Sequence, residues 1–174
     1  MREKTDEPKA IKKSVYGFLP SARRRNPKKL RQLLDDGANI ERRNQMGETA
    51  LMQASMCGRL QCVQLLLDRG AKINAIDKNG NSAISYASMY GHIDILKLLL
   101  DHGANVDIRG YQRKTPLIAA SQSSELACVA LLLERGADVT PTDRLGKTAS
   151  DYCTSDEIRK LLEDAANATD YVLK

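Results

Sequence analysis

Small and apolar residues recur along this chain at intervals of 33 residues. A Gly-Ala dipeptide marks each interval, with a pair of leucines shortly before it and an aliphatic residue shortly after it. A threonine or serine keeps the same register ahead of a short apolar stretch. The dipeptides begin at Gly37, Gly70, Gly103 and Gly136, and the hydroxyl residues are Thr49, Ser82, Thr115 and Thr148. Such self-similarity predicts a stack of repeated units in place of one globular core.

Each unit is predicted to contain two helices and an extended arm. The threonine or serine is placed to cap the first helix, whose apolar side carries residues such as Leu51 and Ala54. A glycine permits a tight turn into a second helix, in which Val63 and Leu66 share one face. The glycine of Gly-Ala then ends that helix, and residues 73–80 are an example of the arm that follows. One unit cannot bury both helices alone, so neighbouring units are expected to stack.

These columns of residues resemble the ankyrin repeat. The closest matches are T-P-L-I-A-A over 115–120, G-H over 91–92 and L-L-L-E-R-G-A-D-V over 131–139. The resemblance covers about residues 14–162 and implies an all-α solenoid of helix-turn-helix units joined by β-hairpin-like arms. Two family glycines are replaced by Arg113 and Ser124. The family histidine after T-P-L is replaced in every repeat, by Met52, Ser85, Ile118 and Asp151.

The register of the repeat predicts five units between two short tails. We expect a basic N-terminal tail at 1–13, an N-capping unit at 14–46, full repeats at 47–79, 80–112 and 113–145, a shortened C-capping unit at 146–166, and a C-terminal tail at 167–174. Pro20 falls where the first helix of the first unit is expected. Because proline lacks an N–H and crowds the preceding turn, that helix is predicted to be short or distorted.

The charge of the chain is unevenly distributed. The formal net charge is +5, yet residues 1–46 hold 13 Lys and Arg against 6 Asp and Glu, while residues 47–174 hold 14 against 16. The excess forms a basic patch at Arg23, Arg24, Arg25, Lys28, Lys29 and Arg31. Three interpretations stay open: a solvated cap, an import signal that pairs Lys12-Lys13 with the arginines, or a contact with acidic lipid, nucleic acid or an acidic partner. No aromatic residue interleaves the patch, so specific nucleic-acid recognition is not expected.

The sequence shows no constellation typical of catalysis. There are four cysteines without a CxxC pair and only two histidines, so neither a zinc site nor a bound cofactor is expected. Cys62 and Cys128 share one repeat column and are interpreted as small core residues, and His92 as a structural residue. No apolar run is long enough to span a membrane, and the start lacks an apolar signal segment. We therefore expect a non-enzymatic intracellular protein, cytoplasmic or nuclear, that is monomeric on its own.

The ankyrin resemblance implies a partner protein, bound through the arm tips and the exposed side of the first helices. The matching positions here are Gln45, Met46, Glu48, Met56, Lys78, Asn79, Asn81, Met89, Tyr90, Tyr111, Gln112, Lys114, Gln122, Arg144 and Lys147, with Cys57, Ser123 and Leu145 in the same columns. Met56, Met89, Tyr90 and Tyr111 are expected to form an adaptable apolar strip. The alternative is that these four side chains merely pack between repeats.

Asn74 is a candidate modification site. It matches the family's asparagine after Gly-Ala, with Leu66 eight residues upstream, a pattern on which ankyrin repeats are known to be β-hydroxylated. Other units have Glu41, Asp107 and Thr140 at this position. The alternative is a structural asparagine that bonds its own turn.

Overall fold

The computed structural model describes residues 17–172, with side chains up to residue 168. The predicted tail at 1–13, the Lys12-Lys13 part of the import hypothesis and residues 173–174 lie outside the described part. The helices in chain order are α1 at 17–23, α2 Pro27–Asp35, α3 Ala50–Met56, α4 Leu60–Asp68, α5 Ala83–Met89, α6 Ile93–Asp101, α7 Pro116–Gln122, α8 Leu126–Glu134 and α9 Asp156–Val172. Apart from α9, whose unit has no first helix, they stack in pairs, which confirms the all-α solenoid of helix-turn-helix units.

The first helix of each full repeat begins at its predicted cap. The hydroxyls of Thr49, Ser82 and Thr115 accept bonds from backbone N–H groups three residues later, at 3.3–3.4 Å. Each bond satisfies one of the donors that a helix start leaves free. Pro116 occupies the first helical position, where a missing N–H costs nothing. We call α3, α5 and α7 the inner helices, because they pack against one another in a continuous row.

The core is a row of thin leucine and alanine layers. Leu66, Leu99 and Leu132 are fully buried, and each is provided by the second helix of its unit. The inner helices contribute Ala54, Ala87 and Ala120, also fully buried, whose small side chains let adjacent helices approach closely. Phe18, the one phenylalanine of the chain, is fully buried in α1.

A column of serines lies inside this core without hydrogen-bond partners. Ser55, Ser88 and Ser121 occupy equivalent positions in α3, α5 and α7 and are 0% exposed. None of their three hydroxyl oxygens has a partner. Because a buried hydroxyl without a partner has lost its hydrogen bonds to water, each of these serines lowers the stability of the packed inner helices relative to an apolar side chain of similar size.

Two turns keep their left-handed backbone although the glycine is replaced. Ser124 has φ 58° and Arg25 has φ 46°, in the column where Gly58 and Gly91 have φ 69° and 68°. The turn between α7 and α8 therefore has the same backbone form as in the other repeats, with a side chain where glycine is favoured.

The two end units differ from the full repeats. α1 includes Pro20 and ends at residue 23, which is 33 residues before the end of α3. In the full repeats the residues of this column, Gln53, Tyr86 and Ala119, each donate their N–H to the carbonyl of the cap residue. Proline has no N–H, so α1 lacks that one bond but keeps the same seven-residue extent as α3. In the last unit Thr148 donates to Asp151, no helix follows it, and α9 then continues past the predicted boundary at 166 as far as Val172.

Candidate functional site

Four backbone turns, which we call the fingers, project between the helix pairs. In each finger a backbone hydrogen bond of 2.8–3.1 Å joins residues four apart, at 44–48, 77–81, 110–114 and 143–147. A second backbone bond of 2.9–3.2 Å joins residues three apart within the same turn. Adjacent fingers are also tied together: Lys78 N–H donates to the Met46 carbonyl at 3.0 Å, and Arg144 N–H to the Gln112 carbonyl at 2.9 Å. The finger tips therefore form a connected row beside the inner helices, and we call this combined surface the finger face.

Most of the predicted contact residues at the finger tips are exposed. These are Gln45, Met46, Lys78, Asn79, Tyr111, Arg144 and Lys147, with Gln122 on α7. Asn81 differs: it is 9% exposed, and its side-chain oxygen accepts the Tyr111 N–H at 3.2 Å. Glu48 is half-buried and accepts bonds from Asn44 and Gln53, and its other carboxylate oxygen lies 3.3 Å from the Tyr86 hydroxyl. Both residues hold the fingers in place, so we leave them out of the proposed contact surface.

Three members of the predicted apolar strip, Met56, Met89 and Tyr90, lie at the ends of α3 and α5, and the fourth, Tyr111, lies at a finger tip. Tyr90 is 50% exposed at the end of α5, where its ring stacks near His92 with centroids 6.4 Å apart. Tyr111 is 51% exposed at a finger tip, beside the start of the neighbouring inner helix. Met56 and Met89 are half-buried. Seven helical residues span about 10 Å, so the two tyrosines mark opposite edges of the finger face.

Two fingers each contain a buried carboxyl group that accepts a hydrogen bond from a tyrosine hydroxyl, and the sequence analysis did not predict either pair. The Tyr86 hydroxyl donates to Asp77 and the Tyr152 hydroxyl to Asp143, both at 2.6 Å. Asp77 and Asp143 are buried, and each also accepts two backbone N–H bonds within its own finger. The finger between them has Gly110 and Ala119 in the corresponding columns, so both members of the pair are absent together. That shared absence was the sequence signal for the pairing.

The Tyr152–Asp143 pair predicts a specific pH dependence of stability. The hydrogen bond from Tyr152 lowers the pKa of Asp143 below its usual 3.8, and the same bond raises the pKa of Tyr152 above its usual 10. The stability due to Asp143 is present above about pH 4 and lost as the pH falls through its lowered pKa. The stability due to Tyr152 is present below about pH 10 and lost as the pH rises through its raised pKa. Tyr152→Phe should therefore lower the urea midpoint of unfolding, relative to wild type, most strongly between about pH 4 and about pH 10, and the difference should shrink on both sides. A difference between the two proteins that does not depend on pH would contradict the pairing.

Lysines surround the ring of Tyr152. The Lys114 ammonium lies 4.7 Å and the Lys147 ammonium 5.3 Å from its centroid. Lys114 also donates to the Gln122 side chain at 2.6 Å. Both lysines were predicted as contact residues, but the sequence did not show that their ammonium groups lie over the same aromatic ring.

All six residues of the basic patch are exposed. They lie on α1, α2 and the turn between these helices, and residues 17–34 contain no Asp or Glu. Arg59 of the next unit adds a further cation, since its Nε–H donates to the Arg23 carbonyl at 3.0 Å. The structure thus brings these cations together on one end of the stack.

The remaining candidates for chemistry have structural contacts. A ring nitrogen of His92 lies 3.1 Å from the Met56 carbonyl, which links two units. Cys62 and Cys128 are buried, and burial raises the pKa of the Cys128 thiol to about 11. A thiol that stays protonated at neutral pH is a poor nucleophile. Within residues 17–168, no group of His, Cys, Asp and Glu is arranged to hold a metal ion.

Asn74 connects two units at the side chain. Its oxygen accepts the Asn105 N–H at 2.9 Å, and Glu41 and Asp107 make the equivalent bond to the unit after theirs. The side chain is exposed and therefore accessible. Hydroxylation of Asn74 stays a prediction, which intact-mass analysis of its peptide from animal cells would check.

The comparisons with known proteins agree with this architecture. A family model for ankyrin repeats in three copies matches residues 72–143, and another for ankyrin repeats in many copies matches residues 33–87. No curated protein matches the chain. None of the helices within residues 17–172 is long and apolar enough to cross a membrane. Because the two matches overlap and together extend over residues 33–143, with the helix pairs in the same register, the chain belongs to the ankyrin-repeat family.

Proposed function

We propose that this chain is a non-enzymatic adaptor, scaffold or regulatory subunit that binds a partner protein through its finger face. Repeats of this family are typically protein–protein interaction modules and are usually non-catalytic. The observation that carries the proposal is the row of exposed tip side chains on a backbone already held by finger-to-finger hydrogen bonds. Preorganisation of this kind lowers the ordering cost of binding.

The apolar part of this surface provides the contact that we expect to matter most. Tyr90 and Tyr111 are each about half exposed, and half-buried Met89 lies next to Tyr90. Tyrosine contributes a large, rigid contact area together with a polar end, and methionine adapts its shape to the partner. These residue types are enriched where interfaces are buried most completely.

The double variant Met89→Ala/Tyr90→Ala is expected to recover a bound partner at least about ten-fold less efficiently in affinity capture with quantitative mass spectrometry. Its thermal unfolding should change little, since Tyr90 lies at the end of α5 and Met89 is only half-buried. The matched control is Leu60→Ala/Leu126→Ala, which removes two exposed apolar side chains from the second helices. Equal loss in both variants, or unfolding of the first, would refute the proposed surface.

A second candidate function rests on the basic patch. Its six exposed cations lie within a stretch that has no acidic residue, which suits a nuclear or membrane-surface factor that contacts a polyanion or an acidic partner. In the same capture experiment, Arg23→Gln/Arg24→Gln would then abolish recovery while Met89→Ala/Tyr90→Ala would not. The opposite result supports the finger face.

A further inference from the structure

The cations of the finger face are concentrated on its last two fingers. One column of the repeat changes along the stack from Glu48 to Asn81, then to Lys114 and Lys147. Arg113 and Arg144 stand beside these lysines on the same two fingers, and both are exposed. We call Arg113, Lys114, Arg144 and Lys147 the cationic cluster. Residues 47–174 contain nearly equal numbers of basic and acidic residues, so the fold, and not the composition, gathers cations on these two fingers.

The lysines of the cluster are held in place before any ligand arrives. Tyr152 attracts both ammonium groups to its ring, and its hydroxyl is fixed by the bond to buried Asp143. Lys114 uses one of its three donors on Gln122, so donors remain for a ligand. A preorganised pair of ammonium groups binds an anion with less loss of side-chain entropy than two free lysines.

Protein carboxylates only partly neutralise the cluster. The ion pairs among the described residues are Arg69–Asp35, Arg135–Asp101 and Arg159–Asp156, and none includes a residue of the cluster. Asp143 lies beneath the lysines with its oxygens bonded to Tyr152 and to backbone N–H groups. Asp151 is exposed nearby and accepts bonds from Thr148. Four cations against these two carboxylates leave an excess of positive charge.

Arg113 keeps an unfavourable backbone conformation within the cluster. Its φ is 62°, in a column where Gly47, Gly80 and Gly146 also have positive φ. Gln112 before it has φ 55°. A side chain at such a φ is strained, and glycine would relieve the strain. An arginine at this position therefore destabilises the finger while it adds a cation to the exposed surface.

We propose that the partner contributes an acidic peptide segment that lies across the last two fingers. Its carboxylates pair with Lys114 and Lys147, and its apolar side chains contact Leu145, which is 70% exposed, and Tyr111. The inference rests on the proposed protein-binding function and specifies the chemistry of the partner. The charge of the cluster selects an acidic segment over a neutral one.

Fluorescence anisotropy with a labelled, glutamate-rich peptide of about ten residues that includes leucines tests the inference, with the glutamine version as reference. Lys114→Gln/Lys147→Gln should weaken binding of the acidic peptide about ten-fold, and the glutamine peptide should bind weakly to both proteins. The control Lys97→Gln/Lys160→Gln removes the same charge from exposed positions on α6 and α9, outside the fingers and the basic patch, and should leave the affinity within about two-fold of wild type.

Arg113→Gly gives a second, independent signature. It should weaken binding of the acidic peptide about three-fold and raise Tm by about 2 °C, because it removes a cation and relieves the backbone strain together. A purely structural arginine would give the Tm change without the loss of affinity.

Three results would overturn the inference: equal weakening by the two charge-matched double variants, no difference between the acidic and glutamine peptides, or cluster-dependent binding of an oligothymidylate in place of the peptide. Partner capture that depends on Met89 and Tyr90 would still stand in each case. Loss of the acidic-peptide inference is therefore distinguishable from loss of the proposed function.

Discussion

Replacing Asp77 with alanine is expected to lower the free energy of unfolding by about 2–4 kcal/mol. The buried carboxyl group accepts the Tyr86 hydroxyl at 2.6 Å and the backbone N–H groups of Asn79 and Asn81 at 2.8 and 2.9 Å. Alanine leaves the two backbone donors without this acceptor and leaves the Tyr86 hydroxyl only its longer contact of 3.3 Å with Glu48. Tyr86 and Asn81 are too buried for water to replace the lost carboxylate freely. Urea-induced unfolding followed by circular dichroism measures the change.

Two further variants separate this mechanism from a general effect of losing a carboxylate. Asp101→Ala removes an exposed acid that pairs with Arg135, and it should cost less than about 1 kcal/mol. Asp77→Ala/Tyr86→Phe should cost less than the sum of its single changes, because the second change removes a donor that the first one stranded. If Asp77→Ala costs no more than Asp101→Ala, the buried pair does not support the second finger.

The triple variant Ser55→Ala/Ser88→Ala/Ser121→Ala is expected to raise the free energy of unfolding by about 3 kcal/mol, or about 1 kcal/mol for each site. Each hydroxyl is fully buried without a partner, so its removal ends a desolvation cost and leaves a better helix former. The three hydroxyls have no hydrogen-bond partner in common, so their effects should be nearly additive. Chemical denaturation gives the free energy, and Tm should rise in parallel.

Ser85→Ala is the matched control for the serine column. Ser85 lies in α5 with Ser88 and is also buried, but its hydroxyl is 3.0 Å from the Ser82 hydroxyl. Loss of a partnered hydroxyl should be neutral or destabilising. A stabilisation equal to that of Ser88→Ala would mean that helix propensity alone, and not the missing partner, accounts for the serine effect.

The repeat architecture could be predicted from the sequence because its determinants are local and recur in each unit. The caps at Thr49, Ser82 and Thr115 act on backbone groups three residues away, so a pattern within one unit is enough to predict them. Leu66, Leu99 and Leu132 are buried in every unit because each occupies the same helical face. The left-handed backbone of Ser124 could not be predicted from its residue type, which disfavours it. It accompanies a turn bond from the Glu125 N–H to the Ala120 carbonyl, and Arg59 and His92 donate the equivalent bond in the turns that have glycine.

The contact residues were harder to predict, because exposure depends on the neighbouring finger. Asn81 and Lys78 both lie in the second finger, yet Lys78 is exposed while Asn81 is covered and bonded to Tyr111 of the next finger. The pairing of Tyr86 with Asp77 likewise needs a helix and a finger to meet. The repeat positions of Asp77 and Tyr86 gave a signal for this pairing, because neither residue is present at the third finger. The sequence did not show that the Tyr86 hydroxyl points toward Asp77.

The sequence by itself determined the period, the caps, the leucine layers and the uneven charge of the first unit, since each of these depends on residue type and spacing along the chain. Only the tertiary structure decided where charges and hydroxyls meet across units. Lys114 and Lys147 are 33 residues apart, yet stacking brings both to the ring of Tyr152. The physical reason is that electrostatic and hydrogen-bond energies depend on distance in space, which folding sets between units that are remote along the chain.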